Sequence, residues 1–289
     1  MARVIEINGL TKRYGKHRGV EGVSFDVKEG DVFGFLGPNG AGKSTTIRSM
    51  LGFLNYEGSI KIFGKDAVTD HVEILKNIGY MPSEAMFYPT MKVGEVISLA
   101  ADMRGIDCGK EASMLCERLK VDVTRKIGEL SLGNRKKVSI ICAMQHRPKL
   151  FVFDEPTSGL DPLMQNTFFE LIQEYVAEGA TCMLSTHVLS EVKNYCRNVA
   201  IMKEGHLVSS GSVSELTHTN SKRVTAVIDG ERVDMLYKKD MNSLIGELAG
   251  KNVTELNITD PSIDEIFMGY YNDEQGGDEL SSSCGKDLR

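Results

Sequence analysis

No run of apolar residues in this chain approaches the roughly eighteen that a membrane-spanning helix needs. The nearest candidate, Val138-Ser139-Ile140-Ile141-Cys142-Ala143-Met144, is far too short. A secretory leader is missing too, since the chain opens Met1-Ala2-Arg3-Val4-Ile5-Glu6 with no apolar h-region. These two absences predict a cytoplasmic protein or one peripheral on a membrane. Positive charge is also scarce: the formal net charge is −6, and residues 272–289 hold five acids against two bases. The rest is close to neutral, so no broad basic surface for nucleic acid is expected. Six cysteines (Cys108, Cys116, Cys142, Cys182, Cys196, Cys284) form no C-x-x-C pair and no zinc spacing. The first five read as buried free thiols and Cys284, in the polar tail, as exposed.

What is present is enough for one large domain and a small one: 289 residues, 41% apolar and 26% charged. The most informative segment is Gly37-Pro38-Asn39-Gly40-Ala41-Gly42-Lys43-Ser44-Thr45, a G-x-x-x-x-G-K-S loop. It follows the apolar run Val32-Phe33-Gly34-Phe35-Leu36 and precedes a helix-compatible stretch over 45–51. Strand, glycine loop and helix together make a phosphate cradle. Glycines let successive backbone N–H groups converge on one anion, and the helix N-terminus adds a favourable dipole. In such a loop Lys43 reaches the β- and γ-phosphates and the Ser44 hydroxyl ligates Mg²⁺.

A second segment, Leu150-Phe151-Val152-Phe153-Asp154-Glu155, reads as a buried central strand running into two acids. Next to a phosphate loop, Asp154 is placed to hold Mg²⁺ and Glu155 to poise a water for attack on the γ-phosphate. In Ser158-Gly159-Leu160-Asp161-Pro162, Asp161 reads as an N-cap with Pro162 at the first helical position. Ser185-Thr186-His187 ends the strand expected beside the one that carries Glu155. Leu130-Ser131-Leu132-Gly133-Asn134-Arg135-Lys136-Lys137 opens a helix to about Gln145, with Ser131 as N-cap and a second anion site at its free N–H groups. That second site serves either the same nucleotide, if the helical segment folds over the loop, or the nucleotide of a second chain.

The order of elements predicts an α/β fold. Residues 3–7 and 22–27 alternate like paired strands, and strand signals return at 150–153, 181–185 and 199–202 between helices. Helical periodicity with the Gly105 and Gly109 breaks marks an insertion from about 84 to 130, part of a helical subdomain reaching about 147. A polar segment near 217–221 bounds a first domain at 1–218. A small α+β appendage follows over 219–271, with strands at 223–228, 232–237 and 253–258 and a helix at about 241–249. Its last helix starts at Pro261-Ser262 with a capping-box Glu265, and Ile263, Ile266, Phe267 and Tyr270 share one face. The acidic tail, 272–289, reads as disordered.

In this order the motifs resemble the ATPase subunits of ATP-binding cassette (ABC) transporters, over residues 3 to about 217. The resemblance implies a P-loop NTPase core with an antiparallel β-subdomain and a helical insertion. It also implies ATP and Mg²⁺ as ligands, hydrolysis in a dimer closed on ATP, a separate integral-membrane permease, and a place for this chain peripheral on the cytoplasmic face of the membrane. By that resemblance Tyr14 stacks on adenine, and Ser131 and Gly133 belong to the signature that acts across the dimer. Ser44 and Asp154 hold the metal, Glu155 activates water, Asp161 lies in the loop linking two sites, and His187 is the switch histidine. Having every part for two equivalent sites favours a homodimer. Two departures lower the expected turnover: Ser83, followed by Glu84, stands where a glutamine is usual, and Leu132 and Asn134 stand for glycine and glutamine. The Leu-type signature and the ending Asp260-Pro261-Ser262-Ile263-Asp264-Glu265-Ile266-Phe267 resemble the branch serving exporters of antibiotics and bacteriocins. The alternatives are a non-transport ABC ATPase and a weakly active regulatory cassette.

Overall fold

Alternation of apolar and polar residues makes the long hairpin of β1 (Arg3–Tyr14) and β2 (His17–Lys28), with Ile5 opposite Val27 and Ile7 opposite Phe25. Next come β3 (Val32–Leu36), α1 (Lys43–Met50), β4 (Glu57–Ile62), β5 (Lys65–Asp66), α2 (His71–Lys76) and β6 (Ile78–Met81). A helical stretch holds α3 (Val93–Asp102), α4 (Gly109–Arg118), a 3₁₀ turn at Ile127–Glu129 and α5 (Leu132–Met144). The chain then alternates through β7 (Leu150–Asp154), α6 (Pro162–Ala177), β8 (Thr181–Thr186), α7 (Leu189–Tyr195), β9 (Asn198–Lys203), β10 (His206–Ser212) and α8 (Val213–Thr217). Finally β11 (Lys222–Ile228), β12 (Glu231–Tyr237), α9 (Met241–Leu248) and β13 (Val253–Thr259) form a separate group. This computed structural model describes residues 2–15, 17–84, 86–217, 221–237 and 239–261. The expected final helix and acidic tail, and Cys284, lie outside the described residues.

The chain divides into two units, Met1–His218 and Thr219–Arg289. In the first, an antiparallel sheet of order β2-β1-β4-β5 accompanies a six-stranded sheet of order β10-β9-β3-β8-β7-β6. Within the larger sheet β3, β6, β7, β8 and β9 run parallel, and β10 pairs antiparallel at its edge. Central strands covered on both faces should be apolar throughout. Every residue of β3, β7 and β8 is indeed buried. Phe25 stacks on Phe33 at 5.5 Å between ring centroids, and Phe153 meets Phe168 edge-on at 5.2 Å. The second unit is an antiparallel sheet of order β12-β11-β13, in which Val224, Ala226, Ile228 and Tyr237 share a small core with Leu244 and Leu248 of α9.

The cysteines divide differently from expectation. Cys108, Cys182 and Cys196 are buried free thiols, but Cys116 and Cys142 are partly exposed. Cys116 lies on α4, where it helps line an open cleft against α3 rather than a closed core. Among the described residues no helix is long and apolar enough to cross a membrane.

Candidate active site

Strand register brings the chemistry to one place. Leu36 at the end of β3 pairs with Thr186 at the end of β8, and Asp154 at the end of β7 pairs with Ser185. The glycine loop, the two acids and His187 therefore leave the parallel sheet at the same carboxyl edge, where ligands of open α/β sheets bind.

The loop wraps Lys43. Its side chain is buried, and its ammonium donates to the Gly37 carbonyl at 2.6 Å and the Pro38 carbonyl at 3.2 Å. Gly42 caps α1 with φ 101°, and a β-carbon there would stand 2.5 Å from Val20 Cγ1, so only glycine fits. Ala41 and Gly37 are buried beneath the loop, while Asn39 and Gly40 rise from it.

Glu155 follows β7 in a left-handed conformation, φ 51°. A non-glycine residue holds such a backbone only when its surroundings fix it. Its N–H donates to the Ser185 carbonyl at 3.2 Å and the Ser185 hydroxyl at 3.1 Å, and its own carbonyl accepts from Lys136. The side chain is thereby aimed between two cations or potential cations. Oε1 lies 3.4 Å from Lys43 Nζ and 3.5 Å from His187 Nδ1. Asp154, one residue earlier, is wholly buried; Oδ1 accepts from the Ser185 hydroxyl at 2.5 Å, and Oδ2 has no protein partner. A buried carboxylate oxygen without a donor invites a cation or water.

A cavity of about 710 Å³ opens over these groups. Tyr14, Asn39, Gly40, Gly42, Lys43, Ser44, Thr45 and Glu155 line it together, and Ser83, Glu84 and Met86 share the lining. The Tyr14 ring is half exposed there, with Lys12 Nζ 5.5 Å from its centroid. Gly37, Pro38, Ala41, Asp154 and His187 support or flank the cavity without lining it. Ser131, Gly133 and Asp161 do not line it, though Leu132, Arg135 and Lys136 of α5 and Ser158 of the loop before α6 do. Ser131 caps α5, its hydroxyl accepting from the Asn134 N–H at 3.3 Å, and Asp161 caps α6 by accepting from the Met164 N–H at 3.0 Å. Gly133 packs so tightly on the loop before α6 that a β-carbon would lie 2.5 Å from the Gly159 carbonyl oxygen.

Two residues beside the site escaped the sequence reading. Lys136 is buried on α5 and reaches Glu155. Glu191, buried on α7, accepts from the hydroxyls of Thr157 and Thr186, each at 2.6 Å. It thereby ties the segment after Glu155 to the strand end before His187. Polar residues on otherwise apolar helix faces were the available signal, and it names no partner.

Comparison with known proteins gives a consistent picture. Residues 20–158 match the family model described as ABC transporter. The ABC transporter ATP-binding protein YhaQ of Bacillus subtilis is 30% identical over 92% of this chain and 97% of its own length. The bacitracin transport ATP-binding protein BcrA of Bacillus licheniformis is 35% identical over 77% of this chain and 74% of its own. Among solved structures, an ATP-binding subunit of an ABC transporter superposes with a TM-score of 0.73 at 25% identity, covering 93% of this chain and 99% of that one.

Proposed function

The chain belongs to the ATP-binding proteins of ABC transporters, which hydrolyse ATP, and on that premise we propose that two copies close on ATP to drive a separate membrane permease, as an exporter. The observation that carries the reading is the placement of the Glu155 carboxylate between Lys43 and His187, beside the glycine loop.

In this mechanism Tyr14 stacks on the adenine, and the backbone N–H groups between Gly37 and Thr45 receive the phosphates. Lys43 neutralises the β- and γ-phosphate oxygens. Glu155 orients a water toward the γ-phosphorus and takes its proton as ADP leaves, with His187 donating to the γ-phosphate oxygens. Ser44 and Asp154 would hold Mg²⁺, which neutralises phosphate charge when bound. One carboxylate and one hydroxyl suit this ion, which keeps several waters, and the unpartnered Asp154 Oδ2 accords with it. Ser131, Gly133 and Asp161 serve the nucleotide of the second copy, which agrees with their not lining the cavity of their own chain.

Binding thus assembles a two-chain site, and hydrolysis releases it, which moves whatever is docked on the helical stretch. Exposed Leu99 and Met103, four residues apart at the end of α3, present apolar surface there and support docking of a permease on the cytoplasmic side of a membrane. The bacitracin transport relative supports export. Glu155→Gln tests the reading. Steady-state ATPase should fall by about 10²–10⁴-fold, the range for loss of a general base. ATP should meanwhile convert the variant to a dimer on size-exclusion chromatography. Native turnover in Glu155→Gln removes Glu155 from the mechanism.

A further inference from the structure

We propose that Lys136 is a positioning residue for Glu155, and that through it the hydrolytic carboxylate senses the helix that begins at Ser131. The proposal rests on the reading of Glu155 as the residue that activates water.

Lys136 is 3% exposed, yet its ammonium is spent on the main-chain carbonyl of Glu155 rather than on a carboxylate. That choice makes sense because Glu155 holds φ 51°. Ser185 anchors the N–H side of the residue, through its carbonyl and its hydroxyl. Lys136 anchors the carbonyl side, so the peptide groups on both sides of the Glu155 Cα are held and the direction of its Cα–Cβ bond is fixed. A hydrogen bond from a charged donor in a low-dielectric site is the strong kind. Burial pulls the Lys136 pKa down, while Glu155, Asp154 and Glu191 act in the opposite sense and favour its charged form.

Lys136 also sits within the first turns of α5, on the helix that Ser131 caps. Gly133 of the same turn presses on the Gly159 carbonyl, in the loop that follows Glu155. The start of α5 therefore touches the Glu155 segment twice, once by a donor and once by close packing. A nucleotide of the second chain, seated on Ser131, would bias the position of this helix start. Lys136 passes that bias to the Glu155 carbonyl of its own chain. Each copy would then hydrolyse its ATP in response to occupancy of the site it completes for its partner.

The test uses the full-length protein and compares Lys136→Met, Lys136→Arg and Glu155→Gln in steady-state ATPase and in binding of a fluorescent ATP analogue. Lys136→Met should lower kcat by about 10- to 100-fold, as misplacing a reacting group does, with KM and analogue affinity within about twofold. Lys136→Arg, which keeps a charged donor, should recover most of the rate. Adding Lys136→Met to Glu155→Gln should cost nothing more. If Lys136→Met does not fold, Lys136→Leu carries the same comparison. An unchanged kcat in the donorless variant overturns the proposal, as does an Arg variant no better than Met. Should Glu155→Gln itself keep native kcat, the reading of Glu155 fails first. If Glu155→Gln is inactive while Lys136→Met is native, only the role of Lys136 fails.

Discussion

Replacing Gly133 by alanine separates a local structural demand from a role across the dimer. The new methyl would stand 2.5 Å from the Gly159 carbonyl oxygen and 3.5 Å from its carbon. A relaxed carbon–oxygen contact is about 3.3 Å, so the two backbones must part by roughly 0.8 Å. Neither side can yield by turning a side chain, because α5 meets the loop before α6 main chain to main chain. Overpacking of this kind costs about 1–3 kcal/mol. For a unit the size of Met1–His218, each kcal/mol moves Tm by about 2–4 °C, so a fall of about 2–12 °C is expected. The assay is a calorimetric melt in the absence of nucleotide, where no second chain is required. Leu132→Ala is the control: Leu132 is 55% exposed, and its loss should stay within about 0.5 kcal/mol. A Gly133→Ala protein that melts with the native one and loses only ATPase would refute the packing argument and assign Gly133 wholly to the partner's nucleotide.

Two further outcomes follow from buried polar groups. Glu191→Ala leaves the Thr157 and Thr186 hydroxyls without their acceptor, which should cost about 2–4 kcal/mol in urea unfolding. Glu191→Gln, which keeps one carbonyl oxygen, should lose less than half of that. His146 governs an acid limb of stability. Its Nε2–H donates to the Ile78 carbonyl, Nδ1 has no partner, and burial, followed by the Arg104 charge, pushes its pKa down to about 4. The unfolded chain titrates near 6.5, so between about pH 6.5 and 4 it binds a proton that the folded chain refuses. Stability is therefore fully present above about pH 6.5 and is lost as pH falls. Discounted for partial solvent screening, the loss is about 2 kcal/mol by pH 4. Urea midpoints across this range should flatten in His146→Phe; an equal slope in both proteins would place the titrating group elsewhere.

Much of the site was legible because short-range chemistry demands particular residues. A phosphate loop needs its glycines and lysine in sequence, and both caps, Ser131 and Asp161, sit where the helix starts required them. The parallel strands β7 and β9 were readable from unbroken apolar runs, and β8 from the apolar Cys182-Met183-Leu184 between small polar residues. By contrast β4 shows only two buried residues, Ile60 and Ile62, and α2 only Ile74, too few to set a period. Lys136 and Glu191 were illegible for a different reason. Lys136 meets Glu155 from another element 19 residues earlier, and Glu191 meets Thr157 across 34 residues because the pairing of β7 with β8 sets their ends side by side. The left-handed backbone at Glu155 was equally hidden, since glutamate carries no mark of it in sequence.

The central claim is that this ATPase closes as a dimer on a separate permease. Its most direct test is affinity purification of Glu155→Gln from detergent-solubilised membranes with ATP and Mg²⁺, alongside the same variant carrying Leu99→Asp and Met103→Asp. The account predicts a polytopic membrane protein retained in stoichiometric amount by the first and lost from the second. An ATP-dependent dimer without a membrane partner, or one bound to ribosomes or DNA, would contradict it.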